Sequence, residues 1–227
     1  MWRAVLPLAL GLSLEAQAAG CAADAMVVFD ASASMTSQDF DGNTIRRIDE
    51  ARAAVAEVMP RIERTRRIGL VTYGAGPGEC DGISVRFPPI ADAAGRLTAE
   101  VAAVRPGGLT PLTTAVRTAA EALGPGIVIL VTDGQESCGG APCALARALP
   151  ADLTVHVIGF KLDWTGFART DARPAPDFSG RCLAEQTGGL FVSTRTVQEL
   201  VAALQTTLGC DLIGRGEPRP ASRVSPT

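Results

Sequence analysis

The chain has 227 residues, of which 47% are hydrophobic and 20% charged, with a formal net charge of −3. This length fits one domain with a sizeable core, and the mildly acidic balance gives no reason to expect nucleic acid or an anionic membrane as a partner. The sequence contains a single histidine, His156, and a single lysine, Lys161. Because Lys161 follows Phe160, the phosphate-binding loop that ends in Gly-Lys is absent from the sequence. Most enzymes that depend on histidine or lysine are therefore disfavoured, and chemistry would fall to carboxylates, hydroxyls or thiols.

Residues 1–18 are predicted to be a secretory signal peptide. Arg3 gives the positive start, residues 4–14 are apolar, and Ala-Gln-Ala at 16–18 fits a cleavage site. The apolar run is too short for a permanent membrane helix, and no later segment of the sequence is long enough to span a bilayer. We therefore expect a secreted or periplasmic protein with no transmembrane segment after cleavage. The alternatives are a buried N-terminal helix and lipid attachment at Cys21, which Ala-Gly precedes.

After residue 18, short apolar runs alternate with segments of helical periodicity. Continuous apolar runs of this length are typical of parallel strands that are buried on both faces. Thr110 is expected to cap a helix that has Pro111 at its first position, and Thr196 with Glu199 forms a capping box. The predicted elements in chain order are strand 25–29, helix 45–60, strand 68–73, edge strand 83–87, helix 97–104, helix 111–123, strand 127–131, helix 142–149, strand 153–158, helix 182–186, strand 190–192 and helix 197–208.

This alternation predicts an α/β fold, a doubly wound, mostly parallel six-stranded sheet with helices on both faces. Residues 19–210 would form this one domain. Residues 211–227, rich in Pro, Arg, Ser and Gly and without periodicity, are predicted to be a disordered tail. In such sheets ligands bind beyond the carboxyl ends of the strands, so function is expected in the loops that follow them.

Three of those loops carry oxygen-bearing side chains. Asp30, Ser32 and Ser34 follow the first strand, Thr110 lies in a glycine-rich turn, and Asp133 follows the central strand. Oxygen ligands of this kind suit a hard cation, Mg²⁺ above all, or Mn²⁺ and Ca²⁺. Because neutral hydroxyls are weak donors, a cation held mainly by them keeps much of its positive field. Such a site is better suited to gripping a carboxylate than to hydrolysis.

The order of these motifs resembles a von Willebrand factor type A (VWA) domain with an intact metal-ion-dependent adhesion site (MIDAS). The likeness is carried by Asp-Ala-Ser-Ala-Ser at 30–34, Gly-Gly-Leu-Thr-Pro at 107–111 and Thr-Asp-Gly at 132–134, and it extends over roughly residues 23–208. The cysteine-containing segments 79–81 and 133–143 resemble secreted bacterial members of the family more loosely.

The resemblance implies a Rossmann-like VWA fold and a role for each motif residue. Ser32, Ser34 and Thr110 would bind the cation through their hydroxyls, and Asp30 and Asp133 would bind through water or in a state-dependent way. The competing interpretation is that Asp30 and the two serines merely cap the helix that follows.

The expected function is binding of a protein or envelope component that presents an acidic group, without enzymatic activity. The alternatives are a metal-dependent hydrolase using the same cation and a disulfide-braced structural module. Trp164, Phe167 and Phe178, in the loop after the fifth strand, are candidates for partner contact, although they could instead pack that loop onto the domain.

The six cysteines form an even set, which in an oxidising compartment predicts disulfides. The sequence alone does not choose among the many pairings. In a fold of the VWA kind the two ends of the domain lie opposite the metal, and two cysteines close in sequence suggest a local bridge. The pairs expected on this basis are Cys21–Cys210, Cys138–Cys143 and, from the remainder, Cys80–Cys182.

Overall fold

The computed structural model describes residues 23–38, 44–162 and 178–209. Its strands are β1 (Ala25–Asp30), β2 (Ile68–Tyr73), β3 (Ser84–Ile90), β4 (Gly126–Thr132), β5 (Leu153–Phe160) and β6 (Phe191–Thr194). They form one six-stranded sheet in the order β3-β2-β1-β4-β5-β6. β3 runs antiparallel to β2, and the other neighbours are parallel. The predicted fold class is confirmed.

Helices cover both faces of this sheet. They are α1 (Arg47–Ile62), α2 (Ala94–Ala103), α3 (Leu112–Leu123), α4 (Pro142–Ala148), α5 (Arg181–Gln186) and α6 (Val197–Leu208), and a short 3-10 helix (Ala33–Thr36) follows β1. α1, α2 and α6 pack on one face, and α3, α4 and α5 pack on the other. Within the described residues no helix is long and apolar enough to cross a membrane.

The central strand β1 shows why its sequence is apolar at every position. Ala25, Val27 and Phe29 point into the core under α1, α2 and α6. Met26 and Val28 point into the core under α3, α4 and α5. Because a strand alternates its side chains between two faces, both sets must be apolar when helices cover both faces.

The two edges of the sheet differ from its centre. β3 contains Pro88 and Pro89, and its register against β2 is irregular. β6 has only four residues. Proline lacks the N–H that a central strand needs, so its presence in β3 is compatible with an edge position.

Several helix boundaries differ from the sequence prediction by one to three residues, and two of them have a clear physical reason. α1 continues through Pro60 to Ile62, because a proline in the last turn removes one backbone donor without preventing the two residues that follow from remaining helical. α3 begins at Leu112 with Pro111 in the N-cap position, so the expected cap at Thr110 is wrong. The capping box is confirmed in its main bond, since Thr196 Oγ1 accepts the N–H of Glu199 at 3.2 Å.

Two disulfides, Cys80–Cys138 and Cys143–Cys182, link the described residues, with Cα–Cα distances of 5.7 and 5.2 Å. The predicted pairs Cys138–Cys143 and Cys80–Cys182 are therefore wrong. Cys143 lies in the first turn of α4, which packs against α5 and so faces Cys182. Cys138 lies in the preceding loop, which faces the segment that follows β2. The remaining pair, Cys21–Cys210, falls outside the described residues.

Candidate metal centre

Asp30, the last residue of β1, is buried and held by both carboxylate oxygens. Its Oδ1 accepts the N–H of Ser32 at 2.7 Å, and its Oδ2 accepts the hydroxyl of Thr132 at 2.6 Å. The Tyr73 hydroxyl in turn donates to Thr132 Oγ1 at 2.9 Å. Burial, together with the negative charge of Asp30, raises the pKa of Tyr73 well above its ordinary value, so this phenol stays protonated as a donor. Tyr73 and Thr132 thus fix the orientation of Asp30.

A row of hydroxyls leads from the first loop to Asp133. Ser32 Oγ lies 3.0 Å from Ser34 Oγ, and Ser34 Oγ donates to Asp133 Oδ1 at 2.6 Å. Ser32 occupies the N-cap position of the 3-10 helix, yet its hydroxyl turns to Ser34 and not to the backbone of that helix. This geometry disfavours the interpretation in which these serines serve only as helix caps.

Thr110 reaches the same place from the loop before α3. The surroundings of Gly134 show that Thr110 and Ser34 lie close together. A Cβ built at Gly134 would lie 3.6 Å from Ser34 Oγ and 3.7 Å from Thr110 Oγ1. The backbone of Thr110 is held by Ser137, whose Oγ accepts the Thr110 N–H at 2.8 Å and whose N–H donates to the Thr110 carbonyl at 3.0 Å. Two hydroxyls from loops far apart in sequence therefore share the open face of Gly134.

The segment that follows β4 ties the surrounding loops together. Glu136 accepts the N–H of Thr113 at 2.7 Å and so satisfies the first turn of α3, the task that the sequence suggested for Thr110. Gln135 Oε1 accepts the N–H and the hydroxyl of Ser179 at 3.0 and 2.9 Å. With Glu136 serving α3, the Thr110 side chain is left to face Gly134.

Asp133 is the second buried carboxylate of this cluster. Its Oδ2 accepts Nη1 of Arg47 at 3.0 Å, and the side-chain exposure is 0% for Asp133 and 16% for Arg47. Burial, and after it the charge of Asp30, raises the pKa of Asp133 to about 6, against the hydrogen bonds from Ser34 and Arg47 that lower it. A buried carboxylate whose charge is disfavoured by burial and by a neighbouring carboxylate is an electrostatic setting in which a cation is stabilised.

The structure thus gathers the predicted residues Asp30, Ser32, Ser34, Thr110 and Asp133 at the carboxyl ends of β1 and β4. Within residues 23–38, 44–162 and 178–209, no three His, Cys, Asp or Glu side chains form a metal-binding group. A cation at this edge of the sheet would therefore have to rely on hydroxyl oxygens together with the two carboxylates.

Phe178, one of the three candidates for partner contact, follows the alternative interpretation, in which the aromatic side chain packs onto the domain. Phe178 is 3% exposed and stacks on Phe191 with ring centroids 5.8 Å apart. Its side chain therefore contributes to the packing of the domain and is not accessible to a partner. Trp164 and Phe167 lie outside the described residues.

Three supporting residues escaped the sequence analysis. Tyr73 and Ser137 act on site residues through hydrogen bonds, and Arg47 acts on Asp133 across 86 positions of sequence. None of the three sits in a motif. Ser137 lies three residues after the Thr-Asp-Gly segment, and this closeness to a motif is the nearest thing to a sequence signal.

Comparisons with known proteins agree with this architecture. Residues 25–135 match the family model of the von Willebrand factor type A domain. Over 157 residues the chain is 31% identical to the uncharacterized protein YwmD of Bacillus subtilis (strain 168), an alignment that covers 62% of this chain and 69% of that protein.

Two solved structures illustrate the similarity of fold. The crystal structure of BatB from Bacteroides thetaiotaomicron superimposes with a TM-score of 0.54 at 16% identity, covering 82% of this chain and 98% of BatB. Proximal thread matrix protein 1 from the mussel byssus, solved with a zinc-occupied MIDAS motif, gives a TM-score of 0.58 at 17% identity, covering 84% of this chain and 46% of the other.

Proposed function

The chain belongs to the von Willebrand factor type A domain family, and we propose that it is an exported module that captures a carboxylate of a protein or envelope partner through a divalent cation. Domains of this family are mostly interaction modules. The cation would be Mg²⁺, with Mn²⁺ or Ca²⁺ as alternatives. The residues proposed to hold it are Asp30, Ser32, Ser34, Thr110 and Asp133.

The observation that carries this proposal is that the hydroxyls of Ser34 and Thr110 lie on the same side of Gly134. Ser34 Oγ and Thr110 Oγ1 both lie within 3.7 Å of one point above it, and Ser34 Oγ is also within 3.0 Å of Ser32 Oγ. Asp30 and Asp133 lie behind these hydroxyls, each already oriented by its own hydrogen bonds. The donor set is all oxygen, which fits a hard divalent cation. The zinc at the MIDAS motif of the mussel protein supports a divalent ion at an equivalent place in this fold.

The hydroxyls and the carboxylates of the proposed site would make different contributions to cation binding. Neutral hydroxyls contribute ligands without cancelling charge, and the carboxylates supply the negative potential that retains the cation. When bound, the cation would supply Lewis acidity toward an anionic oxygen. Tyr73 and Thr132 keep Asp30 in place, and Ser137 keeps the Thr110 backbone in place. A partner that offers a carboxylate would complete the site.

The positions of the single imidazole and the single amine favour binding over hydrolysis. His156 pairs in register with Ile129, three residues before the level of Thr132, which places it about 10 Å along the strand from the site. Its Nδ1 accepts the N–H of Leu190 at 2.9 Å. Lys161 forms a buried ion pair with Glu50. Neither group is available at the site as a general base.

The two disulfides support the proposed location. Disulfides persist in oxidising compartments, so Cys80–Cys138 and Cys143–Cys182 favour a secreted or periplasmic protein. We propose that residues 1–18 are removed on export, that residues 19–210 form the working domain, and that residues 211–227 form a tail.

Direct cation binding tests the proposal most simply. Isothermal titration of the purified protein with Mg²⁺ or Mn²⁺ should show one site. Thr110→Val, which removes the hydroxyl at constant shape, and Gly134→Ala, which places a methyl group against both hydroxyls, should each weaken binding at least about tenfold. Gly95→Ala is the matched control, because a Cβ at Gly95 meets nothing within 4 Å.

Capture of envelope components on immobilised protein extends the test to the partner. Retention should disappear with a chelator and with Thr110→Val. A wild-type protein that binds neither cation, or variants that bind as tightly as the wild type, would overturn the proposed site. Turnover of an ester or amide substrate that Thr110→Val abolishes would instead support the hydrolase alternative.

A further inference from the structure

Arg47 brings a positive charge of the protein into the proposed metal site. It is the first residue of α1, and its N–H donates to the Ser37 carbonyl at 3.0 Å, which anchors the helix start beside the first site loop. Its guanidinium then reaches Asp133 Oδ2 at 3.0 Å. Since Ser34 already donates to Oδ1, both oxygens of Asp133 are bonded by groups of the protein itself.

The neighbouring arginine shows that this placement is specific to one position. Arg46 pairs with Asp49 at 2.7 Å on the surface, where its side chain is 49% exposed. The Arg47 side chain is 16% exposed, and its partner Asp133 has a fully buried side chain. Attraction between unit charges is far stronger in such a buried setting than at the surface. Two adjacent arginines therefore differ sharply in their influence on the site.

We propose that Arg47 is an internal counter-cation that competes with the divalent cation for Asp133 and thereby sets the affinity of the site. This inference rests on the proposed function. A divalent ion that draws on Asp133 must share that carboxylate with the guanidinium or displace it. In either case the nearby positive charge opposes loading, so the affinity for the cation is lower than the five ligands alone would give.

The inference predicts a gain of binding from the loss of a side chain. Arg47→Met keeps length and helix propensity but removes the charge, and it should raise Mg²⁺ affinity about tenfold or more, in line with usual coupling between two sites. Arg47→Lys retains the charge without the planar pair of donors and should give an intermediate affinity. Arg46→Met is the control, because it deletes the same charge one residue away and should leave affinity within about twofold of the wild type.

Isothermal titration calorimetry of the three variants and the wild type measures their affinities for Mg²⁺ and so tests the inference. Circular dichroism verifies that each protein is folded. Tighter binding by Arg47→Met than by both Arg46→Met and the wild type, with measurable binding by the wild type, supports the inference. Equal or weaker binding by Arg47→Met, while the wild type binds, overturns the inference and leaves the proposed function standing. If none of the four proteins binds the ion, both are overturned. If Arg47→Met does not fold, Arg47→Lys takes its place, and affinity equal to or below that of the wild type overturns the inference.

Discussion

Removing either disulfide should lower the stability of the domain by a similar amount, but only one removal should weaken cation binding at the proposed site. Cys80–Cys138 spans 58 residues of sequence and Cys143–Cys182 spans 39. On the chain-entropy relation, loops of these lengths each contribute about 4 kcal/mol to the free energy of unfolding at 25 °C. The two bonds therefore form a matched pair for stability.

The two disulfides meet the loops around the proposed site at different residues. Cys138 directly follows Ser137, which exchanges two hydrogen bonds with the backbone of Thr110. Such bonds contribute about 1 kcal/mol each, so their loss would lower the affinity for Mg²⁺ by up to about thirtyfold. Cys143 and Cys182 instead join α4 to α5 next to Ser179, which donates to Gln135 Oε1.

The assay compares Cys80→Ser/Cys138→Ser with Cys143→Ser/Cys182→Ser. Urea denaturation measures the stability of each variant, and Mg²⁺ titration at a temperature where both are folded measures affinity. We expect similar losses of stability and a loss of affinity confined to the first variant. Equal losses of affinity in both variants, or none in the first, would refute the idea that the Cys80–Cys138 bond restrains Thr110 through Ser137.

Three further predictions concern residues around the site and in the core. Burial lowers the pKa of His156 from 6.5 to about 4, with a smaller contribution from a nearby arginine, so the unfolded chain takes up its proton first as the pH falls. The free energy of unfolding should therefore fall by up to about 3 kcal/mol as the pH drops from 6.5 towards 4. In a pH series of urea melts, His156→Gln should flatten this part of the curve. Lys161→Met leaves the buried carboxylate of Glu50 without its ammonium and should destabilise the domain by about 3–5 kcal/mol in urea melts, whereas the double change with Glu50→Leu should recover most of that loss; a single variant as stable as the wild type would contradict this. Tyr73→Phe removes the donor to Thr132 and should cost about 1–3 kcal/mol in thermal melts, and an unchanged melting temperature would argue against the role of this hydroxyl.

The fold could be predicted because its signals are local. Alternating burial makes the run from Ala25 to Phe29 apolar at every position, and the strand boundaries at Ile68 and Tyr73 coincide with the predicted ones. The five candidate metal-site residues lie at or just after strand ends, or just before a helix start, and these are places that the alternation of strands and helices already marks.

The contacts that were missed join distant parts of the chain. Arg47 and Asp133 are 86 residues apart, and no periodicity indicates which of two adjacent arginines turns inward. The disulfide pairing failed for a related reason, since nearness in sequence suggested Cys138–Cys143 while the helix start at Pro142 turns Cys143 towards another helix. Thr110 looked like a cap because the side chain that replaces it, Glu136, comes from a different loop.

The margins of the sheet bear on how this domain behaves at high local concentration. An exposed strand edge can recruit another chain by extending the sheet, which leads to aggregation. In β3, Pro88 and Pro89 interrupt the row of donors, and the irregular register bends that edge away from a flat template. At the opposite margin β6 offers four residues, a short length for strand addition. Many copies of the domain could therefore crowd together with little pairing between strand edges, which would leave the strand ends free for the proposed capture of a partner.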